Sequence, residues 1–193
     1  MAAPNTMEWW NQTAYGVMNF KYILYTLLAV IFTFLIHEAA HWLAGTQLGY
    51  PMVMTMNKAY PANGSYSETW HYTFISAVGP LTTLLQSLAV YLLLRRYQNN
   101  YVYPFLFCAF YVELLSGVMN FRNPNDLGRI STTLGFGLFT LPILIVLLHY
   151  LMVHDIYRRR KYGWKFGAGI LFFTLLFSSA WILINQKFGI RIL

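Results

Sequence analysis

The sequence predicts an all-α polytopic membrane protein, built as a bundle of about five transmembrane helices. Hydrophobic residues make up 58% of the 193 residues and charged residues only 10%, which is far too apolar for a soluble domain of this size. The chain also contains five apolar stretches, each long enough to cross a hydrocarbon core of about 30 Å. The predicted helices span residues 20–45, 71–94, 102–120, 130–153 and 166–185 of a single membrane domain, residues 1–193.

The segment before the first helix, residues 1–19, is polar and contains the pair Trp9-Trp10. Tryptophan favours the headgroup level of a membrane, so this segment is expected to lie at the interface and to contact lipid. If it shares one side with Arg95-Arg96 and residues 158–161, that side carries most of the basic residues. The positive-inside rule then places the N-terminus in the cytoplasm. Because the basic residues cluster at helix ends, the net charge of +7 does not indicate nucleic-acid binding.

The end of the first apolar stretch carries the pattern His37-Glu38-Ala39-Ala40-His41. On a helix, His37 and His41 lie one turn apart on the same face, so their imidazoles can hold one Zn²⁺ while Glu38 serves as general base. Ionisable groups at membrane depth are costly unless they find partners or a metal. The alternative is a hydrogen-bonded polar cluster between packed helices. Cys108 is the only cysteine and lies in an apolar stretch, so metal ligands must be histidine and carboxylate.

Turn-forming residues follow the first helix. Residues 51–56 favour an extended strand and residues 65–72 a returning one, which would form a short β-hairpin beside the histidines; the alternative is an ordinary loop. The second helix contains Gly79-Pro80. Proline removes a backbone hydrogen bond and glycine admits a close neighbour, so this pair predicts a kink or a tight helix crossing.

A polar break follows the third predicted helix. The run from Asn120 to Gly128 contains three asparagines, a proline and an aspartate, and it cannot form a continuous helix. Irregular polar backbone at a membrane helix end is tolerated where it lines an enclosed site or faces water. In the second case Asp126 caps the fourth helix, and Asn120 and Asn123 face solvent. Glu113, the one acid of the third helix, lies at about the same inferred depth as His37.

Three motifs therefore follow one another: His-Glu-x-x-His in one helix, Gly79-Pro80 in the next, and a break that ends in Asp126-Leu127-Gly128. Over roughly residues 30–130, this order resembles the site-2 protease family of intramembrane zinc metalloproteases. The resemblance implies that Asp126 is the third zinc ligand, with His37 and His41 as the other two.

The polar break also contains further candidate site residues. Asn120 and Asn123 are candidates to hydrogen-bond the developing oxyanion or to hold an unwound substrate. The break is more compact than in the family, with Leu127 between the aspartate and the glycine. Glu113 is therefore the alternative metal ligand, since glutamate also serves as a third ligand in zinc hydrolases.

The resemblance implies intramembrane cleavage of a transmembrane or membrane-inserted protein substrate. At 1.5 Å per residue, the histidines lie roughly 6–12 Å from the end of their helix, so the active site is expected near the extracytoplasmic face. Peptide bonds inside a helix are shielded, and an unwound substrate could pair with the hairpin by strand addition. Two alternatives stay open: a catalytically silent relative that binds membrane segments, and a membrane protein that handles or transports metal.

Overall fold

The computed structural model describes residues 17–193 and confirms the predicted helix bundle with a small hairpin after its first helix. Almost all of the predicted interfacial segment, residues 1–19, lies outside the described residues. The elements are α1 (Phe20–Gln47), β1 (Met52–Thr55), β2 (Lys58–Pro61), α2 (Thr69–Arg96), α3 (Tyr103–Met119), α4 (Asp126–Thr133), α5 (Thr140–Arg159) and α6 (Trp164–Phe188). A 3₁₀ turn, Asn100–Val102, leads into α3.

Five of these helices, α1, α2, α3 with its leading turn, α5 and α6, are long and apolar enough to cross a membrane. The predicted number of spans is thus confirmed, and the protein has the character of an integral membrane protein. The fourth predicted span, residues 130–153, was wrong at its start. The chain leaves helix α4 after Thr133, passes through Gly135 and Gly137 at positive φ, and begins α5 only at Thr140. Because residues around these glycines are also apolar, hydropathy alone does not reveal the break before α5.

Helix α1 is the central element, since it packs against α2, α3, α6 and the hairpin. Small and β-branched residues on it, such as Ala29 and Val30, are fully buried against Cys108 and Val112 of α3. Nearer its start, Tyr22 packs against Phe166 of α6. Lipid tails are as apolar as leucine, so close contact between small residues is what holds membrane helices together. The polar residues of α1 are consequently enclosed by neighbouring helices.

The hairpin is antiparallel, with Met52 opposite Pro61 and Thr55 opposite Lys58. The predicted first strand is confirmed, whereas the second strand is not formed by residues 65–72. The chain reverses immediately after Thr55, and α2 already begins at Thr69.

Two tryptophans tie the hairpin to the bundle. Trp42 of α1 donates its ring N–H to the carbonyl oxygen of Met52 at 3.2 Å, and Trp181 of α6 donates to that of Met56 at 2.8 Å. On the outer side of β1, Met54 exchanges backbone hydrogen bonds with residues 192 and 193. The outer edge of β2 has no such backbone partner among the described residues. The sheet therefore keeps one open edge, and that edge belongs to β2.

Candidate metal centre

Helix α1 presents His37 and His41 on one buried face, one turn apart. The helix forms because its sequence is an apolar run without proline, and Asn19 caps its start by accepting a hydrogen bond from the backbone N–H of Tyr22. The Nε2 atoms of the two imidazoles are 3.2 Å apart. Both rings thus direct the same nitrogen to one point between the helices.

Gly79 of α2 lies directly against these imidazoles. A Cβ atom at this position would contact His41 Nε2 and would lie only 2.7 Å from His37 Nε2. No residue with a side chain fits there without displacing the rings. The predicted tight crossing is therefore present, and it brings α2 against the histidine face of α1.

The other ring nitrogens have fixed partners on α2. His41 Nδ1 lies 2.6 Å from the carbonyl oxygen of Ile75, which can only accept a hydrogen bond, so Nδ1 carries the proton. His37 Nδ1 lies 2.8 Å from the hydroxyl oxygen of Thr83, and this hydroxyl donates to the carbonyl oxygen of Gly79 at 3.1 Å. His37 Nδ1 is therefore also the donor. In the neutral rings, both Nε2 atoms carry lone pairs that face each other.

Asp126 supplies the third group. It is the first residue of α4, and its Oδ2 lies 3.5 Å from His37 Nε2 and 3.3 Å from His41 Nε2. Its other oxygen, Oδ1, forms an ion pair of 2.5 Å with Arg129 Nη2. Two imidazole lone pairs and one carboxylate oxygen converge here, and such a position requires positive charge, from a metal ion or from protons on the rings. Together, His37, His41 and Asp126 could hold a metal ion.

The pKa of Asp126 reflects this environment. Burial by itself raises the pKa of this carboxyl group. When protons occupy the two Nε2 atoms, hydrogen bonds from His37 and His41 and the charge of those rings act in the opposite direction and prevail, so they hold the pKa of Asp126 well below its ordinary value. The carboxylate is consequently ionised and available as a ligand.

Asn120 fixes the chain break that carries Asp126. Its Oδ1 accepts a hydrogen bond from the backbone N–H of Asn125 at 2.6 Å, and its Nδ2 donates to two carbonyl oxygens of the last turn of α3. Gly128 packs so closely on this amide that a Cβ atom there would collide with it. The hydrogen bonds of the Asn120 amide therefore stabilise the backbone conformation of the break. Asn123 is exposed and does not line the site, whereas Asn125 does.

An open cavity of about 690 Å³ reaches His41 and Asp126 of the candidate metal centre. Its walls include Glu38 and His41 of α1, strand β2, the loop between β2 and α2, and the start of α4. The Glu38 carboxylate lies against the backbone N–H of Ala59 and interacts electrostatically with His37, His41 and Asp126. Burial and the neighbouring Tyr72 phenol raise the pKa of Tyr66, on the cavity wall, to about 12, so it stays neutral. The cavity is therefore lined by the Glu38 carboxylate, by other polar groups and by the open edge of β2.

Some residues of this centre were absent from the sequence prediction. Thr83 lies four residues after Gly79 and contacts His37, and Arg129 lies three residues after Asp126 and contacts it. Neither was among the predicted site residues. Glu113, the alternative ligand, is fully buried nearby but is not among the described side chains whose donor atoms converge. The structure brings together the ligand set that includes Asp126.

Comparisons with protein-family models, with curated proteins and with solved structures find no match to this chain. The geometry of the site is therefore the basis of the function proposed below.

Proposed function

We propose that this protein is an intramembrane zinc metalloprotease of the site-2 protease type, which hydrolyses a peptide bond in a transmembrane or membrane-inserted protein. One observation carries the proposal: two imidazole Nε2 atoms and one carboxylate oxygen converge beside Glu38, next to an open cavity in a bundle of apolar helices. Ionisable groups placed this way in membrane helices are costly, and they mark function.

The spacing of the donor atoms fits zinc. Tetrahedral coordination with bonds of about 2.0–2.1 Å places neighbouring ligand atoms about 3.3 Å apart. The three donor atoms here are separated by 3.2, 3.3 and 3.5 Å. Two imidazoles also argue against Ca²⁺ and Mg²⁺, which take oxygen ligands. Catalytic zinc sites typically use three protein ligands and leave a further position for water, which agrees with this donor set.

Each residue then has a separate task. His37, His41 and Asp126 hold the ion, whose chemistry is to activate water and to polarise the scissile carbonyl group. Glu38, which lines the cavity beside them, accepts a proton from the attacking water and later delivers it to the leaving amine. Arg129 binds the second oxygen of Asp126, which leaves Oδ2 directed to the histidines.

Strand β2 is the proposed receptor for an unwound substrate. In an antiparallel pair, successive residues direct their backbone groups alternately toward and away from the partner strand. Met54 directs its N–H and C=O away from β2, to residues 192 and 193, so Ala59 opposite it directs its own groups away from β1. Ala59 lines the cavity, and its N–H faces Glu38. A substrate strand paired there would lie next to the catalytic base.

The proposed orientation follows from charge. Basic residues concentrate at the bundle end where α2 and α5 finish and α6 begins, opposite the metal centre. They are Arg95, Arg96, Arg158, Arg159, Arg160, Lys161 and Lys165. By the positive-inside rule this end is cytoplasmic, which puts the cavity near the extracytoplasmic face.

The test begins with zinc content of the detergent-purified protein. Wild type and Glu38→Gln are expected to bind one zinc per chain, whereas His41→Ala and Asp126→Asn are expected to lose it. Thr174→Val, which alters a buried hydroxyl on α6, is the control and should retain zinc.

Cleavage is then assayed on reconstituted single-span peptides whose spans contain glycine, asparagine or proline. The wild type should cleave, and Glu38→Gln should be at least about 100-fold slower. Zinc absent from the wild type after incubation with the metal would refute the metal centre. Stoichiometric zinc with no cleavage of any peptide would leave a silent membrane-segment binder as the better account.

A further inference from the structure

We infer that Glu113 is a positioning residue of the metal centre, acting on His37 through the hydroxyl group of Thr83. This inference rests on the proposed metal centre but not on peptide hydrolysis. Glu113 belongs to α3, whereas Thr83 belongs to α2 and His37 to α1. Three helices therefore meet at this point.

The Glu113 side chain is fully buried, and neither of its carboxylate oxygens forms a hydrogen bond within the described part of the chain. It lies against the Thr83 hydroxyl and interacts electrostatically with His37, His41 and Asp126. A buried carboxylate without partners destabilises a membrane protein unless another group compensates for it. A feature that costs stability in this way indicates a functional role.

The hydroxyl of Thr83 connects the two residues. It accepts the proton of His37 Nδ1 at 2.8 Å and has one hydrogen to donate, which reaches the Gly79 carbonyl oxygen at 3.1 Å. Glu113, which lies against the same hydroxyl, is a stronger acceptor for that hydrogen than a carbonyl group. Donation to Glu113 makes the hydroxyl oxygen a better acceptor for His37 Nδ1, and this makes Nε2 a more basic ligand.

Charge balance supports the same assignment. Asp126 is already neutralised by its ion pair with Arg129, so the ligand set adds little net negative charge to offset a divalent ion. The sequence contains only six acidic residues, and among those that the structure describes, Glu38 and Glu113 are the two besides Asp126 that interact with both histidines. In a low-dielectric bundle, uncompensated charge is expensive. Two carboxylates close to the histidines reduce that cost.

The test compares Glu113→Gln, Thr83→Val and the double variant with wild type, using Thr174→Val as the control for a lost buried hydroxyl. Zinc affinity is measured by competition with a chelator, thermal stability on the metal-free protein, and the ligand set from the visible spectrum of the Co²⁺ form. We expect Glu113→Gln and Thr83→Val each to weaken zinc binding about 10-fold or more, as loss of such outer partners generally does.

Three further results are expected. The double variant should bind zinc no more weakly than the weaker single variant, because both changes interrupt one connection. Metal-free Glu113→Gln should melt no lower than wild type, because a neutral amide costs less to bury than a carboxylate and its oxygen can still accept from the Thr83 hydroxyl. Thr83→Ser should restore the affinity lost in Thr83→Val, and the Co²⁺ spectrum should be unchanged throughout.

Zinc binding by Glu113→Gln within about twofold of wild type would overturn the inference and leave the metal centre intact. Independent, multiplicative losses in the double variant would also overturn it. A changed Co²⁺ spectrum in Glu113→Gln would show a direct ligand instead of a positioning residue. Failure of the wild type to bind zinc would overturn the metal centre and this inference together.

Discussion

Substitution of Gly79 by alanine tests the crossing of α1 and α2 at the metal centre. The added methyl carbon would lie 2.6 Å from His41 Cε1 and 2.7 Å from His37 Nε2. Normal contacts of such atoms are about 3.5 Å, so the rings must move away by at least about 0.8 Å. Zinc ligand distances tolerate only about 0.2 Å. The two imidazoles therefore cannot keep their present convergence.

The effects on stability and on metal binding should differ in size. Overpacking costs about 1–3 kcal/mol, and alanine in place of glycine within a helix returns about 1 kcal/mol. The net loss of about 0–2 kcal/mol should leave the protein folded. Zinc affinity, by contrast, should fall by at least about 100-fold, the upper end for disturbing groups that orient metal ligands.

The assay is chelator competition on protein in detergent, with circular dichroism as the check on folding. Gly117→Ala is the matched control, because a Cβ atom there would meet Pro142 and Val146 at an ordinary 3.8 Å. Gly117→Ala should keep wild-type zinc affinity. Wild-type zinc affinity in Gly79→Ala would refute this prediction, and so would an equal loss of zinc affinity in Gly117→Ala.

Three other predictions concern the break, the strand edge and the metal. Gly128→Ala should weaken zinc binding and cost about 1–3 kcal/mol, because the methyl group would displace Asn120 and with it the start of α4; unchanged affinity would contradict this. Ala59→Pro should slow peptide cleavage with zinc content unchanged, since it removes the outward N–H of β2; equal cleavage rates would exclude strand addition there. Zinc at 100 times its dissociation constant should stabilise the wild type by about 2.7 kcal/mol in thermal denaturation, and an equal shift in His41→Ala would place the zinc elsewhere.

Local patterns made part of this protein predictable. The apolar stretches follow from composition over some twenty residues, so the number of spans could be predicted without knowledge of packing. The shared face of His37 and His41 depends only on helix periodicity. Gly79 next to Pro80 indicated a close crossing, although which groups would meet there was not determined locally.

Other parts depended on long-range packing. The sequence left Asp126 and Glu113 as alternative third ligands, because both lie at a comparable inferred depth. The choice depends on how α3 and α4 are rotated about the histidine face, and that rotation is fixed by contacts such as Gly128 on Asn120. The second strand was misplaced for a similar reason, since the reversal after Thr55 is stabilised by Trp181, which lies far along the chain.

The sequence by itself determined a set of membrane helices, because their apolar composition is a local property. It also determined one helix that carries two histidines one turn apart with a glutamate beside them, because that arrangement depends on the period of a single helix. Only the tertiary structure decided that Asp126 completes a group that could hold a metal ion, that Thr83 contacts His37, and that Glu113 is buried without a hydrogen-bonding partner by distance in the described residues. Each of these depends on side chains from different helices meeting within a few ångströms. Such meetings are set by the packing of the whole bundle, which no single segment of the sequence specifies.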